Sequence, residues 1–207
     1  MSTLLLILIC GVRFLAPNLD NSQHTIISVG DSNTAYYQDT AQDWFTQMRQ
    51  MYTDWRIWAL GRAYAGAQIQ QMIDNYIPTI ASRMGSGSNT AMILLGINDI
   101  NVGGLTEQET YILLVELCDS LTGRGIDNLV VSTYPNIVCT AFNDSIIANY
   151  VAEGWTLADP ASDANIGEAA DHSNATYFDN IVHMNPTGLG ILADSMYTGL
   201  NRVMEVR

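Results

Sequence analysis

Short apolar runs alternate along the chain with longer segments in which apolar residues recur every three or four positions. The runs cover positions 26–29, 55–60, 91–95, 129–132 and 156–158. Runs of this length and composition predict buried strands, whereas the recurrence every three or four positions predicts amphipathic helices. Strands that alternate with helices in this way predict parallel βαβ units, with helices on both faces of one sheet.

Five helices are predicted, at about 40–52, 67–83, 106–123, 143–153 and 186–203. Thr106 with Glu109 three positions later forms a capping-box pattern, and Pro186 stands near the favoured first helical position. A long polar loop separates the last strand from the last helix. The pattern therefore predicts an α/β protein: a three-layer α/β/α, flavodoxin-like sandwich with a mainly parallel five-stranded sheet.

The first 24 residues are predicted to lie outside this domain, which we place at 25–207. Positions 4–10 form an uninterrupted apolar run that is too short to span a bilayer. The run fits either a short export signal or a segment packed on the domain, since no basic residue precedes it. Both an exported and a cytoplasmic protein are compatible with this pattern, and we expect no integral membrane span.

Charge narrows the range of partners. The chain of 207 residues carries a net charge of −13, with eight arginines and no lysine. Such a surface repels phosphate backbones and anionic lipids, so we expect neither nucleic acid nor an anionic membrane as partner. The cysteines at 10, 118 and 139 are far apart and form no zinc-ligand pattern, so no metal is predicted.

Polar or glycine-rich positions directly follow the predicted strands. They are Ser32, the 61–66 loop, Asn98, Tyr134 and Asp159. The carboxyl ends of parallel strands open onto one edge of the sheet, which is where ligands bind in folds of this class. We therefore expect these residues to share a crevice, although taken alone the Asp31–Thr34 turn favours a simple helix cap.

Four short blocks in this order resemble those of the GDSL-type esterases, the SGNH hydrolase superfamily. They are Gly30-Asp31-Ser32-Asn33, Gly66 with its alanine neighbours, Gly96-Ile97-Asn98-Asp99, and His183 with Met184-Asn185-Pro186. Asn33 stands where the family name has Leu, and Met184 where the family usually has Pro. The resemblance spans about 26–203, and four blocks in order make it specific although each alone is weak.

The resemblance implies a role for each matching residue. Ser32 would be the nucleophile, and His183 would take its proton and later give it to the leaving alcohol. The backbone N–H groups of Ser32 and Gly66 and the Asn98 side-chain amide would form the oxyanion hole. Glycine suits position 66 because a side chain could block close backbone approach. No cofactor and no metal are implied.

The acid of the triad departs from the family pattern, which places Asp three residues before His. Here that position is Asn180, and Asp179 stands four residues before His183. A one-residue bulge would let Asp179 orient His183, and we take Asp179 as the predicted acid. Without the bulge, Asn180 faces the imidazole and a Ser–His dyad is left.

The resemblance predicts a serine esterase that hydrolyses a small carboxylic ester, short-chain acyl or acetylated carbohydrate, through an acyl-serine intermediate. Its partner would be a small-molecule ester; the oligomeric state is left open. The alternatives are a non-catalytic glycan- or phosphate-binding module on the same fold, and acyl transfer to an alcohol other than water.

Other histidines and tyrosines give weaker signals. His24 and His172 stand in polar contexts and are expected to be exposed loop residues. Four tyrosines near the predicted crevice are expected to line a pocket, on position alone: Tyr36, Tyr37, Tyr64 and Tyr134.

Overall fold

The sheet contains five strands, all parallel, in the computed structural model of the protein, which describes residues 24–51, 57–135 and 139–205. The strands are β1 (His24–Gly30), β2 (Ile57–Ala63), β3 (Asn89–Leu94), β4 (Asn128–Ser132) and β5 (Thr156–Ala158). Their order is β2-β1-β3-β4-β5, which confirms the predicted flavodoxin-like sheet. In this order the chain reverses its direction of progress across the sheet next to β1, and such a switch point is where ligands bind.

Helices cover both faces of the sheet, which confirms the three-layer prediction. They are α1 (Ser32–Ala35), α2 (Trp44–Met51), α3 (69–83), α4 (Ile97–Asn101), α5 (Glu107–Thr122), α6 (Thr140–Asn149) and α7 (Pro186–Glu205). One layer contains α2 and α7, with α7 packed against β4 and β5. The other contains α3, α5 and α6, in which α5 packs against both α3 and α6.

The α3 stretch is not a uniform helix, although the pattern predicted one over 67–83. It consists of the consecutive pieces Ile69–Gln71, Met72–Tyr76, Ile77–Ile80 and Ala81–Arg83, and the second is a π-helical turn. Pro78 has no N–H to donate to the preceding turn, and its ring crowds the carbonyl four residues earlier. A π turn directly before the proline absorbs this misfit.

Helix α5 is capped by its own first residues, whereas helix α6 is capped by a side chain of another helix. The box at α5 is confirmed, because Thr106 Oγ1 accepts from Glu109 N (3.2 Å) and Glu109 Oε2 accepts from Thr106 N (2.8 Å). Helix α6 begins three residues before its predicted start at 143, because Phe142 N donates to Glu107 Oε2 (2.8 Å). That cap comes from another helix, so local sequence does not reveal it.

Strands β2, β1 and β3 finish level with one another. Gly30 is paired with Ala63 of β2 and Leu94 of β3, and Tyr64 N donates to the Gly30 carbonyl (3.1 Å). Strand β3 is buried along its whole length, as expected for a central parallel strand. The segments that follow these strand ends are therefore held side by side at one edge of the sheet.

The predicted N-terminal segment at 1–24 lies outside the described residues, except for His24. In the described ranges no helix combines the length and the hydropathy needed to cross a bilayer.

Candidate active site

Ser32 is the first residue of α1, directly beyond the carboxyl end of β1. Asp31 caps the helix, with its Oδ1 accepting from Asn33 N (3.0 Å), as expected for a residue that supports this turn. A Cβ at Gly30 would lie 2.0 Å from Thr34 Oγ1, so glycine is required for the turn to close. Ser32 is 4% exposed, and its hydroxyl faces the neighbouring loop.

His183 meets Ser32 across a long sequence separation, as predicted. Its Nε2 lies 3.0 Å from Ser32 Oγ, within hydrogen-bond distance. The surrounding segment, called the histidine loop below, is a narrow loop closed by an isolated antiparallel bridge between Phe178 and Met184. Burial lowers the pKa of His183 below its ordinary value, and the nearby Asp179 charge opposes that shift. The imidazole is therefore mainly neutral at pH 7, the state that a general base requires.

The structure corrects the predicted acid. Asn180, not Asp179, faces the imidazole, with Nδ2 3.1 Å from His183 Nδ1. The Asp179 carboxylate instead accepts a hydrogen bond from the Tyr37 hydroxyl, and its backbone N donates to the His183 carbonyl (2.9 Å). The loop does not bulge, because the Asn180 side chain accepts hydrogen bonds from two backbone N–H groups and so holds the loop in a tight turn.

The orientation of the Asn180 amide is fixed by the backbone. Its Oδ1 accepts from both Val182 N and His183 N, each at 3.0 Å. The NH₂ group must therefore face the imidazole, where it donates to Nδ1 and places the ring proton on Nε2. An aspartate here would accept from Nδ1–H and leave the Nε2 lone pair for Ser32. Asn180 thus stabilises the tautomer opposite to the one a general base needs.

Asn98 and Gly66 belong to neighbouring segments at the same edge. Asn98 Nδ2 donates to the Ala67 carbonyl (3.0 Å), which leaves its second N–H available. Buried Asp99 accepts from Ile69 N through both carboxylate oxygens (3.1 and 3.2 Å). These bonds tie the loop after β2 to the start of α4. Among the described residues, none accepts a hydrogen bond from the N–H of Ser32 or Gly66.

The structure adds a conformational reason for glycine at position 66. A Cβ there would meet no protein atom within 4 Å, so crowding by the protein does not exclude a side chain. Instead Gly66 has φ +77°, a left-handed conformation that glycine adopts without strain.

Buried carboxyl groups lie in and beside the Asp31–Thr34 turn, called the nucleophile turn below because it contains the predicted nucleophile Ser32. Asp31 is fully buried; its Oδ1 also accepts from the Tyr134 hydroxyl (3.1 Å), and within the described residues Oδ2 has no partner. Burial raises the pKa of Asp31 to about 7, against the lowering effect of its hydrogen bonds. Burial likewise raises the pKa of Asp99 to about 6. Both carboxyls act as structural supports of the loops around Ser32.

The tyrosines divide into two groups. Tyr36 is exposed at the site, with its ring centroid 4.6 Å from that of His183, and Tyr37 holds Asp179. Tyr134 is buried and lines no open pocket, so that expectation is wrong, while Tyr64 stacks on Tyr76. Sequence reasoning missed the contact of Tyr37 with the histidine loop, because it joins residues 142 positions apart.

The other histidines were also wrongly expected to be exposed loop residues. His172 is buried, stacks on Phe178 and lies with Nδ1 2.9 Å from the Ile181 carbonyl, where it supports the histidine loop. His24 opens β1 and is partly buried. In the described part of the chain, no group of three or more His, Cys, Asp or Glu residues is arranged to hold a metal ion.

The fold is that of the GDSL-type lipolytic proteins and esterases. A member of the lipolytic G-D-S-L family from Veillonella parvula superposes with a TM-score of 0.73 at 21% identity, covering 86% of this chain and 99% of its own. A psychrotrophic esterase from Pseudoalteromonas sp. gives 0.67 at 17% identity, covering 90% of this chain and 100% of its own. A carbohydrate esterase of family 3 from Talaromyces cellulolyticus gives 0.64 at 14% identity, covering 89% and 100%. The sequence matches no protein-family model and no curated protein.

Proposed function

We propose that the protein is a serine esterase in which Ser32 is the nucleophile and His183 the general base. The observation that carries this proposal is the 3.0 Å contact between His183 Nε2 and Ser32 Oγ at the switch point of the sheet. The fold shared with esterases supports it, although fold alone does not determine function.

Two side chains and the oxyanion-hole donors at the end of the sheet are sufficient for every catalytic step. Ser32 Oγ attacks the ester carbonyl carbon while its proton passes to His183 Nε2. The oxyanion is held by the N–H groups of Ser32 and Gly66 and the free amide N–H of Asn98. Collapse breaks the ester C–O bond, and Nε2–H protonates the leaving alcohol. Water, deprotonated by the same imidazole, then releases the acid from Ser32.

Asn180 raises the free energy needed for proton transfer from Ser32 to His183. Proton transfer from Ser32 needs the Nε2 lone pair, hence either the Nδ1–H tautomer or a turned Asn180 amide. Turning the amide gives up its bonds to Val182 N and His183 N, each of which contributes about 1 kcal/mol. We therefore expect a slow esterase whose rate is limited by formation of acyl-Ser32.

For the substrate we propose a small ester with a short acyl group, acetylated carbohydrates included. Two structurally similar proteins support this class: the carbohydrate esterase of family 3, and an acetyl xylan esterase that superposes with a TM-score of 0.66 at 15% identity. Exposed Tyr36 beside His183 offers a flat ring against which a sugar could pack.

One observation favours a second candidate function, a binding module for an anionic or glycan ligand. The tautomer that Asn180 stabilises makes His183 Nε2 a donor to Ser32 Oγ, so the site has no base, and the hydroxyl and N–H of Ser32 can donate to a ligand. Such an arrangement suits a bound carboxylate or other oxyanion better than it suits turnover.

Turnover of p-nitrophenyl acetate by the wild type and Ser32→Ala separates the two functions. We expect slow turnover that falls to the uncatalysed rate in Ser32→Ala, because the nucleophile is gone. Ser145→Ala, which removes a hydroxyl bonded within α6, is the matched control and should retain wild-type turnover. A folded wild type whose turnover is unaffected by Ser32→Ala would instead favour the binding module.

A further inference from the structure

Asn33, the residue after the nucleophile, is buried between the nucleophile turn and the histidine loop. It is 1% exposed, and it stands where the resemblance would place an apolar leucine. A polar side chain at such a position is costly unless its hydrogen bonds are satisfied. The partners of Asn33 therefore indicate what it does.

The Asn33 side chain holds the backbone on both sides of His183. Its Oδ1 accepts from Met184 N (3.1 Å), and its Nδ2 donates to the Val182 carbonyl (3.1 Å). The residue directly after Ser32 is thus hydrogen-bonded to both residues that flank the histidine.

A third bond fixes the orientation of this amide and connects it to the sheet. Nδ2 also donates to the Tyr134 hydroxyl (2.6 Å), which in turn donates to Asp31 Oδ1 (3.1 Å). Tyr134 follows β4 and Asp31 follows β1, so the connection runs from the histidine loop to two strand ends. Because both amide atoms of Asn33 have defined partners, the side chain cannot flip without losing them.

We propose that Asn33 is a positioning residue that sets the distance between His183 Nε2 and Ser32 Oγ, a role that rests on the proposed esterase function. The bridge between Phe178 and Met184 and the Asn180 bonds give the histidine loop its shape, but they do not fix its position relative to Ser32. Displacement of a reacting group by about 1 Å costs on the order of 100-fold in rate. Asn33 places the nucleophile and the base in register through three bonds that a leucine would not make.

The test compares Asn33→Leu with Asn89→Leu as matched control. Asn89 is also buried, and its side chain likewise accepts from a backbone N–H and donates to a carbonyl, both in the loop before β3 at the opposite edge of the sheet. We expect Asn33→Leu to lower kcat on p-nitrophenyl acetate by about 100-fold, with KM changed less than threefold. Asn89→Leu should lose comparable thermal stability and keep kcat.

A second readout does not depend on turnover: the ¹⁵N chemical shift of His183 Nε2. In the wild-type background, Ser32→Ala should move this signal, because the hydroxyl contacts Nε2. In the Asn33→Leu background, Ser32→Ala should leave it unchanged, because the contact is already lost. If wild type shows no Ser32-dependent turnover, the esterase proposal fails, while this measurement still decides the role of Asn33.

Asn33→Asp covers the case in which Asn33→Leu does not fold. It keeps the acceptor for Met184 N and loses the donor to the Val182 carbonyl, so we expect a smaller loss of kcat, about tenfold. Wild-type kcat together with a preserved Ser32 effect on the His183 signal, in either folded variant, would overturn the proposal.

Discussion

The two halves of the candidate site are built in opposite ways. Ser32 lies at the end of a buried central strand, in a turn closed by its own neighbours Asp31 and Gly30. His183 lies in a loop with one isolated bridge, and side chains far away in sequence hold that loop in place. The proposed nucleophile is therefore positioned by the sheet, whereas the proposed base is positioned by side-chain contacts.

This difference explains where the family pattern is kept and where it is lost. A Cβ at Gly30 would clash with the Thr34 side chain, so the turn keeps the glycine of the family pattern and departs from that pattern at Asn33. The histidine loop has Asn180 in the place of the expected acid, and Asn180 still makes the backbone bonds that an aspartate would make. The loop keeps its shape while the charge opposite the imidazole is missing.

The largest effect is expected from restoring that charge. In Asn180→Asp, one carboxylate oxygen keeps both backbone bonds and the other accepts from Nδ1–H, which frees the Nε2 lone pair. We expect kcat on p-nitrophenyl acetate to rise by about 10²–10⁴-fold. Asn174→Asp is the matched control, because the Asn174 side chain likewise accepts from a backbone N–H, in the segment before the histidine loop, without touching His183. An unchanged or lower kcat in folded Asn180→Asp would disprove the tautomer argument.

The next effect concerns the strand-end half of the site. Asn98→Ala removes the amide proposed to stabilise the oxyanion, and we expect kcat to fall by about 10²–10³-fold while KM changes little. Asn75→Ala, which removes a comparable amide-to-carbonyl bond on the exposed face of α3, should leave kcat unchanged. Equal kcat values for wild type and Asn98→Ala would exclude Asn98 from the oxyanion hole.

A moderate effect on stability is expected at the nucleophile turn. The Asp31 pKa of about 7 lies above the unfolded value of 3.8, so the folded state keeps the proton longer, and stability falls as pH rises between these values. Asp31→Asn keeps a neutral side chain, and we expect its Tm at pH 8 to exceed that of wild type by about 2–4 °C, equivalent to about 1 kcal/mol. The gain should shrink towards pH 4 in thermal melts, and a gain that grows towards acid would contradict this account.

The smallest effect is a shift in a pH profile. Asp179→Asn removes the negative charge that raises the His183 pKa, so the pKa should fall further and the acid limb of kcat/KM should move to lower pH. The plateau at pH 8 should change less than threefold, because Asp179 does not contact the imidazole in this structure. Asp163→Asn, in the same long loop, controls for general charge. A collapse of the plateau in Asp179→Asn would restore Asp179 as the triad acid.

The sequence predicts the strand-end half of the site better than the histidine loop, because the first depends on local pattern and the second on distant contacts. The strands and the place of Ser32 at a strand end follow from local periodicity, and the pairing of Ser32 with His183 follows from the family motifs. The choice between Asp179 and Asn180 did not follow, because it depends on contacts of the folded loop: Asn180 bonds Val182 N and His183 N, and Asp179 accepts from Tyr37. The contact between Asn33 and the histidine loop was equally hidden, because it joins residues about 150 positions apart.

Labelling with a fluorophosphonate probe tests most directly whether the two halves form an activated nucleophile. Intact mass and peptide mapping would be read on wild type and Ser32→Ala side by side. We predict one adduct on Ser32 in wild type, formed faster in Asn180→Asp, and no adduct in Ser32→Ala. A folded wild type that takes no adduct at Ser32, with Asn180→Asp equally unreactive, would contradict the nucleophile–base pair on which the account rests.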